Sequence, residues 1–263
     1  MKLIFMLYFY LSLLLCNVQN ALLLEQRIIG GQVARAGQFP FSAAIYKSTL
    51  DGNYFCGGAL LTTQWIITAG QCVDGAILFT IYLGTNNIET PGSTSVRLAT
   101  DEYVLHPEFN PLTLENDIGL IKLRMAVERT DYILPISNLP SSNLPASAGA
   151  LEAIGWGQTS DNSELADELN WIPVTTVSNE ECRITYGNQL TDGMVCIVGS
   201  FNEGACTGDT GSPLVQWIRG VYSTHVGISS FVSANGCEST DPSGYTRTYP
   251  YLSWIRNVTG TSQ

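Results

Sequence analysis

Short apolar runs, separated by polar stretches rich in Gly, Asn and Pro, recur along most of the 263-residue chain. The runs are rich in β-branched and aromatic residues, and their length and spacing predict an all-β barrel or sandwich. A first set of predicted strands covers residues 41–46, 58–61, 65–68, 79–83, 96–98 and 118–122. A second set covers residues 151–155, 171–177, 194–198, 213–217, 221–231 and 244–247.

A segment rich in proline and serine, residues 135–150, separates the two sets of predicted strands. We interpret it as a strap between two lobes, because this composition is typical of irregular connections. Residues 161–168 are polar and acidic, and we interpret them as a solvated loop. Pro250 opens the run 251–257, whose apolar residues lie four positions apart, and this pattern predicts a short closing helix.

The N-terminus carries Lys2 followed by an apolar run from Leu3 to Cys16. A transmembrane anchor needs about 20 apolar residues, and this run is shorter. We therefore interpret residues 1–21 as a secretory signal peptide. Residues 22–27 would then form a very short pro-segment without cysteines.

The chain has seven cysteines, and Cys16 would leave with the signal peptide. The six that remain indicate disulfides in a secreted protein, and six cysteines allow 15 pairings. A zinc site is a poor alternative, because no Cys-x-x-Cys occurs and the histidines are limited to His106 and His225. The sequence thus predicts a disulfide-bonded domain with no metal and no cofactor.

The formal net charge is −11. A surface of this sign argues against nucleic acids or anionic membranes as partners. The simpler interpretation of the negative charge is that it keeps the protein soluble in an extracellular fluid. Binding to a basic protein is an alternative.

Gly208 and Gly211 bracket the pair Asp209-Thr210, which predicts a tight turn that only small side chains fit. A turn of this kind aims two nearby backbone N–H groups at one point. That is the geometry of an oxyanion hole, where a developing negative charge is stabilised.

Four motifs in order resemble the chymotrypsin/trypsin-like serine proteases, and the resemblance runs from Arg27 to about Asn257. The motifs are Arg27-Ile28-Ile29-Gly30-Gly31, Thr68-Ala69-Gly70-Gln71-Cys72, Asn116-Asp117-Ile118-Gly119-Leu120 and Gly208-Asp209-Thr210-Gly211-Ser212-Pro213. The resemblance implies two six-stranded antiparallel β-barrels and a short C-terminal helix in a domain of residues 28–263. The two lobes would cover about residues 28–140 and 150–250.

The same motifs depart from the family at the catalytic positions. Asp117 matches the triad aspartate, but Gln71 stands in the place of the histidine and Thr210 in that of the nucleophilic serine. A carboxamide has no useful basicity near neutral pH, and the extra methyl of threonine restricts its side chain. We expect Asp117 to be structural, and we do not favour His106 or His225 as a relocated base.

The resemblance also implies roles for other residues. It pairs Cys56 with Cys72, Cys182 with Cys196 and Cys206 with Cys237. Cleavage after Arg27 would free the amino group of Ile28 to pair with Asp209, and the N–H groups of Gly208 and Thr210 would form the oxyanion hole. The specificity pocket would comprise Gly204, Ala205, Phe231, Val232 and Ser243 and would accept small apolar side chains. Thr85 replaces the first carboxylate of the family's calcium loop, so we expect no calcium.

Together these features predict a secreted, non-catalytic serine protease homologue that binds peptides, protease inhibitors or other proteases. We expect a monomer that a trypsin-like protease cleaves at Arg27 and that carries a candidate glycosylation site at Asn257. A weak, Thr210-dependent endopeptidase with an elastase-like preference is the alternative. A structural or carrier protein that does not use the cleft is a third.

Overall fold

The computed structural model describes residues 31–145, 148, 151–200, 204–218 and 222–261. The predicted signal peptide, the pro-segment, Arg27 and Ile28 lie outside these residues. A first group of strands comprises β1 Gln32–Val33, β2 Ser42–Ser48, β3 Asn53–Thr62, β4 Trp65–Thr68, β5 Leu78–Leu83, β6 Val96–Thr100, β7 Tyr103–Leu105 and β8 Gly119–Lys122. A second group comprises β9 Leu151–Gly155, β10 Asn170–Val177, β11 Met194–Val198, β12 Pro213–Ile218, β13 Tyr222–Phe231 and β14 Ser243–Arg247.

The first lobe is an antiparallel sheet in the order β6-β5-β2-β3-β4-β8-β7. Its two edge strands, β6 and β7, are consecutive in the chain and separated only by Asp101 and Glu102. The sheet therefore has to curl until its edges meet at that corner. Thr100 Oγ1 donates to the carbonyl of Lys122 at 2.8 Å, and Lys122 N donates to the carbonyl of Glu102 at 2.9 Å, which fixes the corner.

The second lobe is a closed antiparallel barrel in the order β10-β11-β14-β13-β12-β9, with β9 pairing back onto β10. The short strand β1 adds to this barrel rather than to its own lobe, with Gln32 opposite Trp171. A buried cluster continues from the first lobe into the second through Ile154, Val215 and Ile228. The two lobes thus share one core, and the cleft lies where they meet.

The described helices are α1 Gly70–Val73, α2 Asn179–Tyr186 and α3 Leu252–Thr259, with 3₁₀ turns at Gly187–Gln189 and Tyr249–Tyr251. Helix α3 is the predicted closing helix, and its Ile255 is buried in the shared core. Helix α2 was not predicted. Ser178 caps it by accepting a hydrogen bond from Glu181 N at 3.0 Å, and this Ser-x-x-Glu spacing is a recognised helix-start signal.

The predicted fold class, an all-β two-lobed protein with a short C-terminal helix, is confirmed. Most strands lie within two residues of their predicted bounds, but β3 begins five residues earlier than predicted and β1 and β7 were missed. The second lobe closes as a six-stranded barrel, as predicted, and β1 adds a seventh strand to its sheet, while the curled sheet of the first lobe has seven strands among the described residues. Both missed strands are only two or three residues long, too short for an alternating pattern to show.

Three disulfides cross-link residues within the lobes, one in the first lobe and two in the second. They join Cys56 to Cys72, Cys182 to Cys196 and Cys206 to Cys237, the pairing that the resemblance implied. Extracellular and other oxidising compartments favour such bonds. Within the described part of the chain, no helix is both long and apolar enough to cross a membrane.

Candidate active site between the lobes

Four segments of the chain meet in the cleft. Gln71 lies in helix α1, directly after β4, and Asp117 lies two residues before β8. Thr210 occupies the turn that leads into β12, and Ser230 lies near the end of β13. The fold thus brings Gln71 and Asp117 of the first lobe against Ser230 of the second.

The Asp117 carboxylate is fully buried and accepts several hydrogen bonds. Gln71 N donates to Oδ1 at 2.8 Å, while Gln71 Nε2 and Ser230 Oγ donate to Oδ2 at 2.7 and 2.6 Å. Burial raises the pKa of Asp117, and the hydrogen bonds from Ser230 and Gln71 act against that rise. Neutral donors therefore satisfy this carboxylate in place of a cationic partner.

The orientation of the Gln71 side chain follows from its partners. Nε2 donates to Asp117 Oδ2 and also to the carbonyl oxygen of Ser230 at 2.8 Å. Both partners accept hydrogen bonds, so the nitrogen of the carboxamide and not its oxygen must face them. Both amide hydrogens are thereby used, and Oε1 has no hydrogen-bond partner among the described residues.

The turn around Thr210 is held by backbone hydrogen bonds from both lobes. Gly57 N donates to the Thr210 carbonyl and Gly211 N donates to the Ser229 carbonyl, each at 2.8 Å. Gly208 and Gly211 have φ angles of +97° and +86°, which side chains other than glycine rarely adopt. The N–H groups of Gly208 and Thr210 have no partner within the described residues.

The Thr210 hydroxyl is isolated from every basic group that the structure describes. The side chain is partly exposed, and no hydrogen bond joins its Oγ1 to Gln71 or to any other described residue. Nucleophilic catalysis by a hydroxyl needs a base within hydrogen-bond reach. Gln71 supplies neither that contact nor the basicity.

Asp209, next to Thr210, is a second buried carboxylate. Gly157 N donates to Oδ1 at 2.8 Å and Cys206 N donates to Oδ2 at 2.9 Å. Burial raises the pKa of Asp209 to about 6, although these hydrogen bonds lower it. Among the described residues, no lysine, arginine or histidine forms an ion pair with it.

The predicted specificity-pocket residues lie beside this turn. Gly204 and Ala205 are buried, and Ser243 Oγ donates to the Ala205 carbonyl at 3.4 Å. A methyl group added at Gly204 would lie 2.8 Å from that hydroxyl, so the space is narrow. The ring of Phe231 packs against Tyr186, with centroids 4.9 Å apart, and Val232 is half-buried next to it. None of these five residues carries a charge.

Comparison with known proteins identifies the family of this arrangement. A family model described as Trypsin matches residues 28–255. The chain belongs to the trypsin family. It is 35% identical to brachyurin from Leptuca pugilator over 234 residues, which cover 89% of this chain and 99% of that protein. It is 32% identical to chymotrypsin-like elastase family member 1 from Felis catus, covering 88% of this chain and 89% of that protein.

A solved structure titled as that of HL collagenase superposes with a TM-score of 0.79. It is 32% identical in sequence and covers 89% of this chain and 99% of the other. Sequence and fold thus agree on the trypsin family.

Neither histidine of this trypsin-family chain takes part in the cleft cluster. His106 packs against the rings of Tyr251 and Trp254, with centroids 5.3 and 5.1 Å away. His225 is fully buried, and its Nδ1 lies 2.8 Å from Thr248 Oγ1. Burial lowers the pKa of His225 to about 3, so the ring is neutral at physiological pH. Among the described residues, neither ring contacts Thr210.

Possible metal ligands come together at one place in the described part of the chain, where Asp161 lies beside Cys206 and Cys237. Both sulfurs already form a disulfide with each other. The group therefore offers one free carboxylate, which does not fit a metal site.

Three residues make contacts in the site that the sequence did not predict. Ser230 donates to Asp117, a contact 113 residues apart that no local pattern signals. Lys47 is buried and its Nζ donates to the Gln71 carbonyl at 3.0 Å; burial lowers its pKa. Leu165 packs on Gly208, since a methyl group added there would lie 2.2 Å from Leu165 Cδ2. The sequence did indicate that Lys47 points inwards, because side chains alternate along a strand and Lys47 lies on the same face of β2 as the apolar Ala43 and Ile45.

Proposed function

We propose that this protein is a secreted, non-catalytic member of the trypsin family that binds peptides, protease inhibitors or other proteases in its cleft. One observation carries the proposal. Both amide hydrogens of Gln71 are engaged by Asp117 and Ser230, and the Thr210 hydroxyl has no base beside it. Gln71 and Asp117 form a hydrogen-bonded cluster with Ser230, and the Thr210 hydroxyl does not take part in it.

The chemistry of the Gln71 and Thr210 side chains explains why we expect no catalysis. Attack by a hydroxyl requires a base that takes its proton in the transition state. The nitrogen lone pair of a carboxamide is delocalised into the carbonyl, so Gln71 does not accept that proton near neutral pH. Thr210 in addition carries a methyl group on Cβ, which restricts rotation about χ1. In subtilisin, a serine protease of a different fold, loss of the nucleophile or the base costs about 2 × 10⁶ in kcat.

The binding features of the cleft remain. The N–H groups of Gly208 and Thr210 are available to a carbonyl oxygen, and residues 230–232 offer backbone to an extended peptide by β-pairing. The uncharged residues Gly204, Ala205 and Ser243 favour a small apolar side chain in the pocket. These features support binding of a peptide segment, whether free, in an inhibitor or on another protease.

Processing and secretion belong to the same proposal. Asp209 is a buried carboxylate without a described cation, and cleavage at Arg27 by a trypsin-like protease would supply the ammonium group of Ile28. The three disulfides support an oxidising, extracellular location. Asn257 is exposed on α3, which supports its candidacy as a glycosylation site.

Reaction with a serine-directed fluorophosphonate tests the proposal directly. The Arg27-cleaved protein should gain no mass, because Thr210 is not activated, while an active elastase treated in parallel is fully labelled. The alternative, a weak Thr210-dependent endopeptidase, requires a stoichiometric adduct that maps to Thr210. Such an adduct, together with turnover of a small apolar peptide substrate, would overturn the non-catalytic function.

A further inference from the structure

We propose that the altered centre is a receptor for an intact peptide bond and rejects the carboxylate that hydrolysis of that bond would leave. The inference rests on the proposed non-catalytic function and specifies its ligand. It follows from the hydrogen-bonding groups that the cleft leaves unused: two donors, the N–H groups of Gly208 and Thr210, and one acceptor, Gln71 Oε1.

The two donors lie on a rigid turn. The Thr210 carbonyl is held by Gly57 N and the next N–H, that of Gly211, is held by the Ser229 carbonyl, each at 2.8 Å. A side chain at Gly211 would clash with Thr68 Oγ1 at 2.3 Å and with the Gly57 carbonyl at 2.4 Å. The turn therefore has little freedom to rotate its two free N–H groups.

The acceptor is equally fixed. Asp117 Oδ2 and the Ser230 carbonyl both require a donor from Gln71, so the carboxamide cannot flip without losing two hydrogen bonds. Lys47 Nζ holds the backbone of the same residue through the Gln71 carbonyl at 3.0 Å. An imidazole changes between donor and acceptor as it titrates, whereas a carboxamide keeps its acceptor oxygen at every physiological pH.

Donors and acceptor belong to one site because adjacent residues of β13 hold them. The Ser229 carbonyl binds Gly211 of the Thr210 turn, and the Ser230 carbonyl binds Gln71. Cys72, which follows Gln71, places its sulfur 3.6 Å from the Thr210 carbonyl. The Thr210 turn and the Gln71 side chain thus lie close together in the same part of the cleft.

A trans secondary amide matches this set of groups. Its carbonyl oxygen accepts from the two N–H groups, and its own N–H, which points the opposite way, donates to Gln71 Oε1. An ester in the same place sets an oxygen lone pair against Oε1, and a carboxylate sets a negative charge there. A site built to pair with an N–H discriminates against an analogue that lacks it, because a polar group then remains unpaired.

Three probes that differ only in the group on the C-terminal carbonyl test the inference. They are acetyl-Ala-Ala-Pro-Ala as its N-methylamide, its methyl ester and its free acid, titrated calorimetrically into the Arg27-cleaved protein at pH 7. We expect the amide to bind about tenfold more tightly than the ester, as one lost hydrogen bond implies, and the acid to bind most weakly. Equal affinities, or tightest binding of the acid, would overturn the inference and leave the non-catalytic function intact.

Two variants test whether Gln71 causes the preference for the amide over the ester. Gln71→Leu should bring the affinity for the amide down to that for the ester, while the affinity for the ester stays within about twofold. Gln216→Leu, a half-buried glutamine on β12, is the matched control and should change neither. Should Gln71→Leu fail to fold, the wild-type rank order decides alone. Hydrolysis of the ester probe by the wild type would instead overturn the proposed function, and binding of no probe would overturn peptide binding together with this inference.

Discussion

Two buried carboxylates flank the cleft, and they are satisfied in different ways. Asp117 receives donors from the backbone and side chain of Gln71 and from the hydroxyl of Ser230. Asp209 receives two backbone N–H groups, from Gly157 and Cys206. Neutral side chains donate to the first carboxylate, whereas no side chain of the described residues donates to the second.

The glycines around Asp209 explain why this second site is constrained. A methyl group added at Gly155 would lie 1.9 Å from Asp209 Oδ1, and one at Gly157 would lie 2.5 Å from its carboxylate. The carboxylate is therefore packed tightly against backbone, with no room for a neutral side chain of the kind that satisfies Asp117. Burial of an ion without a counter-ion is costly. Asp117 and Asp209 are thus held by different groups, so a substitution around Asp117 leaves the contacts of Asp209 in place.

The largest effect is expected from restoring the first site. Gln71→His together with Thr210→Ser supplies a base on Asp117 and an unhindered nucleophile, and hydrolysis of small apolar ester substrates by the Arg27-cleaved protein should rise by roughly 10³-fold or more. Each single change should restore little, because base and nucleophile act as a unit. Initial rates on small, aromatic and basic esters measure the gain and the preference.

Two outcomes would contradict this prediction. A wild-type rate equal to that of the double variant would mean that the natural centre is active. A double variant with native disulfides and unchanged unfolding, yet no activity, would mean that the surrounding cleft has also diverged, since Ser212 stands beside Thr210 where the family has glycine. That second outcome favours the carrier hypothesis.

The second effect concerns Asp209 and the processed N-terminus. In the uncleaved chain, the pKa of Asp209 is raised to about 6, above its unfolded value. Its stabilising contribution is therefore complete below pH 4 and is lost as the pH rises through 6. Pairing with the Ile28 ammonium should lower that pKa and raise the free energy of unfolding at pH 7.5 by roughly 3 kcal/mol.

Urea unfolding of cleaved and uncleaved protein at pH 4.5 and 7.5 measures this gain. Asp209→Asn should abolish the difference between the two forms, and Asp117→Asn, the matched buried carboxylate, should leave it in place. A cleaved protein that is no more stable than the uncleaved one at pH 7.5 would contradict the pairing of Ile28 with Asp209.

The contrast between the two sites also shows which features of the site the sequence alone predicts. Motif resemblance placed Gln71, Asp117 and Thr210 and implied the disulfides, because short patterns identify these positions. It did not foresee that Ser230 donates to Asp117, since strand pairing across the lobes creates that contact. The chemistry of a carboxamide did predict that Gln71 donates to Asp117, but not that Gln71 also donates to the carbonyl of Ser230, 159 residues away. Helix α2 did carry a local signal, the Ser178-x-x-Glu181 cap.

A smaller effect is expected from Gln71→Leu. The variant keeps the bulk of the side chain but removes the Nε2 donor from Asp117, leaving a buried carboxylate with one hydrogen bond fewer. We expect the free energy of unfolding at pH 7.5 to fall by about 2 kcal/mol. Gln216→Leu, whose side chain has no hydrogen bond within the described residues, should change it by less than about 0.5 kcal/mol. Equal losses would show that Asp117 does not depend on Gln71.

The smallest effect separates the two donors of Asp117. Ser230→Ala removes a 2.6 Å hydrogen bond to Oδ2 but leaves both contacts from Gln71 in place. We expect a loss of about 1 kcal/mol in the free energy of unfolding. Because Ser230 Oγ and Gln71 Nε2 share one oxygen, the double variant Ser230→Ala, Gln71→Leu should lose more than the sum of the singles. Urea unfolding of the wild type, the two single variants and the double variant completes this double-mutant cycle. Losses of unfolding free energy that add exactly would show that the two donors satisfy Asp117 independently.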